Sequence, residues 1–104
     1  MKTRQVVIDP DAKEDLRDLY HWIAASGSPA SALNYLQRIQ DFINGLDIAA
    51  ERGTTLDMVD PSLRSIPFES VVLAVRVTET TATVARVFHH SRDWMKQLQR
   101  DRET

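Results

Sequence analysis

Apolar and polar residues repeat along this chain with two different periods. The first half carries a helical period, and from Leu63 onward the period is two, that of a strand. Ahead of both, Arg4-Gln5-Val6-Val7-Ile8 reads as a short strand. Asp9-Pro10 ends it and opens a helix: Asp9 suits the N-cap, and Pro10 suits the first helical position, where its missing N–H would be unpaired anyway. Ala12, Leu16, Leu19, Tyr20 and Ile23 form one apolar stripe running to about Ala25, and Asp15, Arg17, Asp18 and His21 fall largely off it. Ser26-Gly27-Ser28-Pro29 breaks the pattern. Gly27 is expected to adopt the left-handed C-terminal cap, and Ser28-Pro29 repeats the cap-plus-proline start. Ala32, Leu36, Ile39, Ile43 and Leu46 make a second stripe, widened by Tyr35 and Phe42. So short a break predicts an antiparallel helical hairpin. Each Leu or Ile buried under it contributes roughly 1.5–3 kcal/mol.

The second helix is expected to fray from Ala49 to Gly53, and Thr54 to Ser62 to be a loop turning at Asp60-Pro61-Ser62. Leu63 to Phe68 is then a strand, at an edge or bulged, because Pro67 cannot donate to a ladder. Val71 to Val77 is the clearest strand, and Ala82 to Phe88 the last. Short turns at Glu69-Ser70 and Thr78–Thr81 make the three an antiparallel meander. Val71, Leu73, Val75 and Val77 share one face; Val72, Ala74 and Arg76 share the other, which the arginine marks as less buried. Ser91 can cap a final helix to Arg102, with Trp94, Met95 and Leu98 on one side. The whole is an α+β domain spanning residues 1–104: N-terminal strand, antiparallel helical hairpin packed on an antiparallel β-meander, short C-terminal helix.

Composition narrows the class. The chain has 104 residues, enough for one core and too few for two. No apolar run approaches the ~18 residues of a membrane span, and no signal peptide is expected from Met1-Lys2-Thr3-Arg4-Gln5. Without cysteine, the chain has no thiol chemistry, which fits a cytoplasmic protein with no membrane partner. The net charge of −2 is unevenly spread: six Lys/Arg against ten Asp/Glu in residues 1–63, seven against five in 64–104. A protein binding nucleic acid sequence-specifically on its own would carry a larger basic excess.

Candidate chemistry gathers where the last strand ends. His89 and His90 sit at the junction, bracketed by Arg86 and Arg92, with Trp94 beyond. Strand ends and the turns after them commonly carry exposed chemistry. Arg86, a charge in an apolar strand, is expected on the open side of the sheet. His89 reads equally as a strand-end histidine packed on the last helix, Trp94 as a core anchor, Arg92-Asp93 as a surface pair worth ~0–1 kcal/mol, and His21 as surface. Phe88 and Val87 read as packing residues. An alternative site would cleave RNA, which requires a base, a cation and an acid: Arg64, Arg76 and Arg86 as cations, His89 or His90 as acid or base, with His90 the one taken into that site. No spacing suits a metal, and no cofactor is implied.

In order, Ala12-Lys13-Glu14-Asp15-Leu16, Trp22-Ile23-Ala24, Ala32 to Leu46, Leu63 to Phe68, and Arg86-Val87-Phe88-His89 before Arg92-Asp93 resemble the ParE branch of the RelE/ParE superfamily of toxin–antitoxin toxins. The chain departs from it in having no tyrosine before Arg76 and in having Glu51-Arg52-Gly53 where a proline-containing motif is common. The resemblance implies a toxin that binds DNA gyrase, is not an enzyme, and is neutralised by a cognate antitoxin. Relatives resembling RelE instead cut messenger RNA on the ribosome; they end soon after their last catalytic residue and carry a C-terminal tyrosine, which this chain lacks. A non-toxic protein-interaction domain is the third reading. An antitoxin has two surfaces to use: an open sheet edge, or the groove between hairpin and sheet.

Overall fold

Nine residues of one strand run past a four-residue neighbour, and the fold is arranged around that mismatch. The computed structural model describes residues 3–50, 53–55 and 60–89. In chain order the elements are β1 (Gln5–Ile8), α1 (Pro10–Ser26), α2 (Pro29–Asn44), α3 (Leu46–Ala49), β2 (Thr54–Thr55), β3 (Leu63–Phe68), β4 (Val71–Val77) and β5 (Thr81–His89). The strands form one sheet in the order β1-β5-β4-β3-β2. The expected meander of β3, β4 and β5 is its centre, and the α+β architecture is as the periodicities predict.

Several details differ from the sequence reading. The sheet is mixed and five-stranded: β1 pairs parallel with β5, Gln5 opposite Thr81 and Ile8 opposite Val84. Pairing strands so far apart in sequence is invisible to local pattern. The expected loop after the second helix contains β2, which pairs with Arg64 and Ser65 of β3 and leaves Pro67 on the open edge. Gly53 leads into β2 at φ +95°, and a Cβ there would collide with the Ser65 carbonyl oxygen and Ile66 Cγ1, so this position requires glycine. The second helix breaks at Gly45 and α3 follows it. Ser28 caps α2 by accepting from the Ser31 N–H, but Asp9 makes no side-chain cap bond, and Gly27 sits at φ −134°, outside the left-handed region. The C-terminal helix expected from Ser91 lies outside the described residues.

The core is as the stripes predict. Ala12, Leu19, Ile39, Ile43 and Leu46 pack on Ile66, Val71, Leu73, Val75, Ala82, Val84 and Val87, with Val6 and Ile8 of β1 at the margin. The second face of the sheet is less open than Arg76 suggested: Leu63, Ala74 and Phe88 are buried there too. Between Ala74 and Val75 the ladder shifts, so that Ala85 is an extra residue in β5. Such a bulge bends the strand and re-aims the side chains after it.

At the far end of the sheet from that bend, buried Arg4 is a tie. Its Nε donates to the Thr78 carbonyl (2.7 Å) and its N–H to the Asp47 carbonyl (2.7 Å), holding the chain entry against α3 and the β4–β5 turn.

Ile43→Ala, at a fully buried position, is expected to cost about 2–5 kcal/mol. Leu33→Ala, on the same helix but 61% exposed, should stay within about 0.5 kcal/mol. Urea unfolding of the two variants checks which face of α2 is core.

Candidate functional site

β1 stops at Ile8, opposite Val84, and the chain turns into α1 at Pro10. From Ala85 on, β5 therefore lacks a strand on that side, and its N–H groups need other acceptors. Asp15 of α1 supplies one: its Oδ2 accepts from the Val87 N–H at 2.9 Å. The same carboxylate takes the fork of Arg86, Nε to Oδ2 at 2.7 Å and Nη2 to Oδ1 at 3.1 Å. Both side chains are mostly covered, Arg86 at 19% and Asp15 at 14% exposure. Arg86 is thus largely covered, where the sequence reading expects it open. Its place in the register, opposite Ala74, does put it on that face, and its guanidinium lies 5.1 Å from the Phe88 ring. The side chain reaches the strand's unpaired edge because the carboxylate there offers a charged, bidentate partner.

Two turns further along α1, Trp22 meets His89, ring centroids 4.5 Å apart. Trp22 is 54% exposed, a large apolar surface left in water. The pair stands between two cavities. The first, about 320 Å³, is lined from α1 by Asp15, Asp18, Leu19 and Trp22 and from β5 by Arg86 to His89. The second, about 430 Å³, is lined from α2 by Ser31, Asn34, Tyr35 and Arg38, with Trp22, Ile23, Ser70 and His89.

α2 grips the β3–β4 turn beside the second cavity. Arg38 donates Nε and Nη2 to the two Glu69 carboxylate oxygens, each at 3.0 Å, and the Tyr35 and Ser70 hydroxyls bond at 2.7 Å. Glu69 holds φ +52°, a left-handed conformation that a side chain disfavours. The Arg38 fork helps keep it there.

Of the residues singled out from sequence, the structure brings Arg86 and His89 together at one corner; His90, Arg92 and Trp94 lie outside the described residues. Val87 and Phe88 are buried, as packing residues should be, and His21 is exposed. The alternative set does not converge among the described residues. Arg64 sits opposite Val75 and Arg76 opposite Leu63, on opposite faces of the sheet. Arg76 Nη2 pairs with Asp60 Oδ2 at 3.0 Å, while Arg86 is held by Asp15. Among the described residues, no group of three His, Cys, Asp or Glu side chains could hold a metal, and no helix is long and apolar enough to cross a membrane.

Asp15, Asp18, Trp22, Tyr35 and Arg38 were missed as site residues. A signal existed: 15, 18, 19 and 22 follow the i, i+3, i+4, i+7 spacing of one helix face, as do 31, 34, 35 and 38. What they face was not in the pattern.

Residues 6–94 match the family described as ParE toxin of type II toxin-antitoxin system, parDE. No curated protein matches. Among solved structures, the chain resembles one described as the chromosomal ParDE TA system from P. aeruginosa, at TM-score 0.74 and 20% identity, covering 86% of this chain and 98% of that one. It also resembles the toxin-antitoxin complex RelBE2 from Mycobacterium tuberculosis, at TM-score 0.64 and 22% identity, covering 86% of this chain and 93% of that one. At these identities the two likenesses establish the fold.

Asp60 gives the structure an acid-sensitive element. The Ser62 hydroxyl (2.7 Å), the Ser62 N–H (2.9 Å) and Arg76 hold its carboxyl at about 2, below its ordinary 3.8. A depressed folded-state pKa stabilises the protein above the unfolded value, and that contribution is lost as pH falls from about 3.8 through about 2. Asp60→Asn should therefore cost about 1 kcal/mol at neutral pH, because Arg76 is partly solvated. The gap from wild type should close between pH 4 and pH 2, which acid titrations of unfolding free energy can follow.

Proposed function

The chain belongs to the ParE toxin family of type II toxin–antitoxin systems, and from that membership we propose that it arrests bacterial growth by binding DNA gyrase and is held inactive by a cognate antitoxin. The match over residues 6–94 carries the reading, since it runs from the second residue of β1 through the end of β5. The target-binding corner is Arg86, His89, His90, Arg92 and Trp94. The geometry of its described part supports binding over catalysis. Arg86 and His89 border open cavities beside an exposed tryptophan, while Arg76 and Arg86, two of the three cations of the RNA-cleaving set, are paired with separate carboxylates. Tryptophan and arginine are the side chains that most often dominate interface energies. The mildly acidic chain also lacks the basic excess that a ribosome-bound nuclease would use.

An antitoxin partner fits the same family, and the two solved relatives are described as a toxin–antitoxin system and a toxin–antitoxin complex. Two surfaces of this chain are suited to it. One is the open edge of the sheet, at β1 or at β3 beyond Ser65. The other is the hollow between the hairpin and the sheet beside Tyr35 and Ser70. The partner adds to a core that is already complete, and a disordered segment of it would order on binding.

Expression of the wild-type chain is expected to arrest growth, and the purified protein to inhibit supercoiling by gyrase. His90→Ala and Arg92→Ala should lose most of that inhibition while keeping the wild-type unfolding midpoint. Unimpaired growth under strong soluble expression would remove the toxin reading. Codon-specific cuts in ribosome-bound messenger RNA, abolished by Arg86→Ala or His90→Ala, would replace gyrase binding with RNA cleavage.

A further inference from the structure

We propose that Asp15 is a positioning residue for the target-binding corner: its carboxylate sets where Arg86 and the end of β5 point, without itself touching the target. This inference rests on the functional reading above and adds to it a residue that lies 71 positions away in sequence from the side chain it directs.

Three observations lead there. First, the Asp15 carboxylate receives three hydrogen bonds, from Arg86 Nε, Arg86 Nη2 and the Val87 N–H, and Oδ2 accepts two of them. One group therefore fixes both a side chain and the backbone of the next residue. Second, the strand does not need Asp15 in order to form. β4 pairs with β5 as far as His89, opposite Val71, so the ladder already holds the last residues. What the ladder leaves undecided is the unpaired edge just after the bulge at Ala85, where the strand bends and the direction of side chains is least constrained. Third, α1 touches the same strand again at Trp22, whose ring meets His89 two residues beyond Val87. Asp15 and Trp22 lie on one face of α1, both lining the first cavity. A shift at Val87 is therefore passed to His89 over a short, rigid path.

Asparagine is nearly isosteric with aspartate, yet it cannot reproduce this node. Its single carbonyl oxygen, in the place of Oδ2, can accept from Val87 and Arg86 Nε, but its amide nitrogen then points a donor at Arg86 Nη2, and the negative charge is gone. Arg86 keeps one arm of the fork and loses the other together with the opposite charge, so its guanidinium is held less firmly beside Val87.

The experiment compares three proteins: wild type, Asp15→Asn, and the exchange Asp15→Arg with Arg86→Asp. The readouts are growth arrest, gyrase supercoiling inhibition, thermal unfolding, and amide hydrogen exchange at Val87. Wild type should arrest growth and show a slowly exchanging Val87 amide. Folded Asp15→Asn should inhibit gyrase roughly tenfold less well, on the scale of an interface hot spot. The exchanged pair also takes Arg86 out of the corner, so it is read by unfolding and Val87 exchange alone: its midpoint should recover with the ion pair, while the Val87 amide, left without its acceptor, should exchange fast. Full inhibition by folded Asp15→Asn, a slowly exchanging Val87 amide in the exchanged pair, or fast exchange at wild-type Val87 would each overturn the proposal. Failure of Asp15→Asn to fold would make Asp15 a stability residue alone and overturn it too. A wild type that leaves growth untouched would remove the functional reading itself, a result distinct from any difference among the variants.

Discussion

A strand that outlasts its neighbour must find acceptors for its unpaired N–H groups, and much of this fold follows from how β5 does so. β1 covers only Thr81 to Val84. Beyond that point the neighbour becomes α1, whose Asp9 N–H continues to the Val84 carbonyl and whose Asp15 side chain takes the Val87 N–H. A carboxylate on a helix thus stands in for the missing strand. The substitution is favourable because the acceptor is ionised and partly shielded from water, so that its bonds are stronger than neutral ones and little screened. It also ties the first helix to the last strand across most of the chain, closing the domain through a contact of 72 residues' separation.

The sheet's two ends are fastened differently. At the end where Val71 faces His89, two ion pairs of opposite sense join the hairpin to the sheet: acid on α1 to Arg86, and Arg38 of α2 to Glu69 in the β3–β4 turn. The first is covered and bidentate. The second is exposed and contributes less, but it holds a left-handed turn residue in place. At the other end Arg4 binds backbone carbonyls, and Asp60 gathers Ser62 and Arg76. Between these ends the core is apolar, and among the described residues no buried side-chain nitrogen or oxygen lacks a partner. The exposed tryptophan stands at the first end, beside the cavities. A large apolar surface on a rigid base suits binding, because little side-chain ordering remains to be done when a partner arrives.

How much of this was readable beforehand depends on the range of the interaction. The stripes through Leu19, Ile39 and Ile43, the Ser28 cap, the alternation in Val71 to Val77 and the burial of Phe88 were all legible, because each is a matter of spacing within one element. The family resemblance was legible for the same reason, being a series of short local motifs. Fine geometry was less so. Gly27 and Asp9 had the right chemistry for caps they do not make, since the chain's exit and entry directions are set by what the helices pack on.

Local spacing in the sequence by itself determined the elements, their apolar faces, the single core and the corner where His89 follows Arg86. Tertiary structure decided the parallel pairing of β1 with β5, the small strand at Thr54–Thr55, and the partners of Arg76 and Arg86. Arg86 is the plainest case. Alternation sends it to the outer face, and the local pattern contains no reason for it to be covered there. The reason lies on α1, where Asp15 is one acidic residue among several on a solvated-looking helix. A pair of this kind forms when two elements remote in sequence meet with complementary charge and unpaired backbone, which no local period encodes.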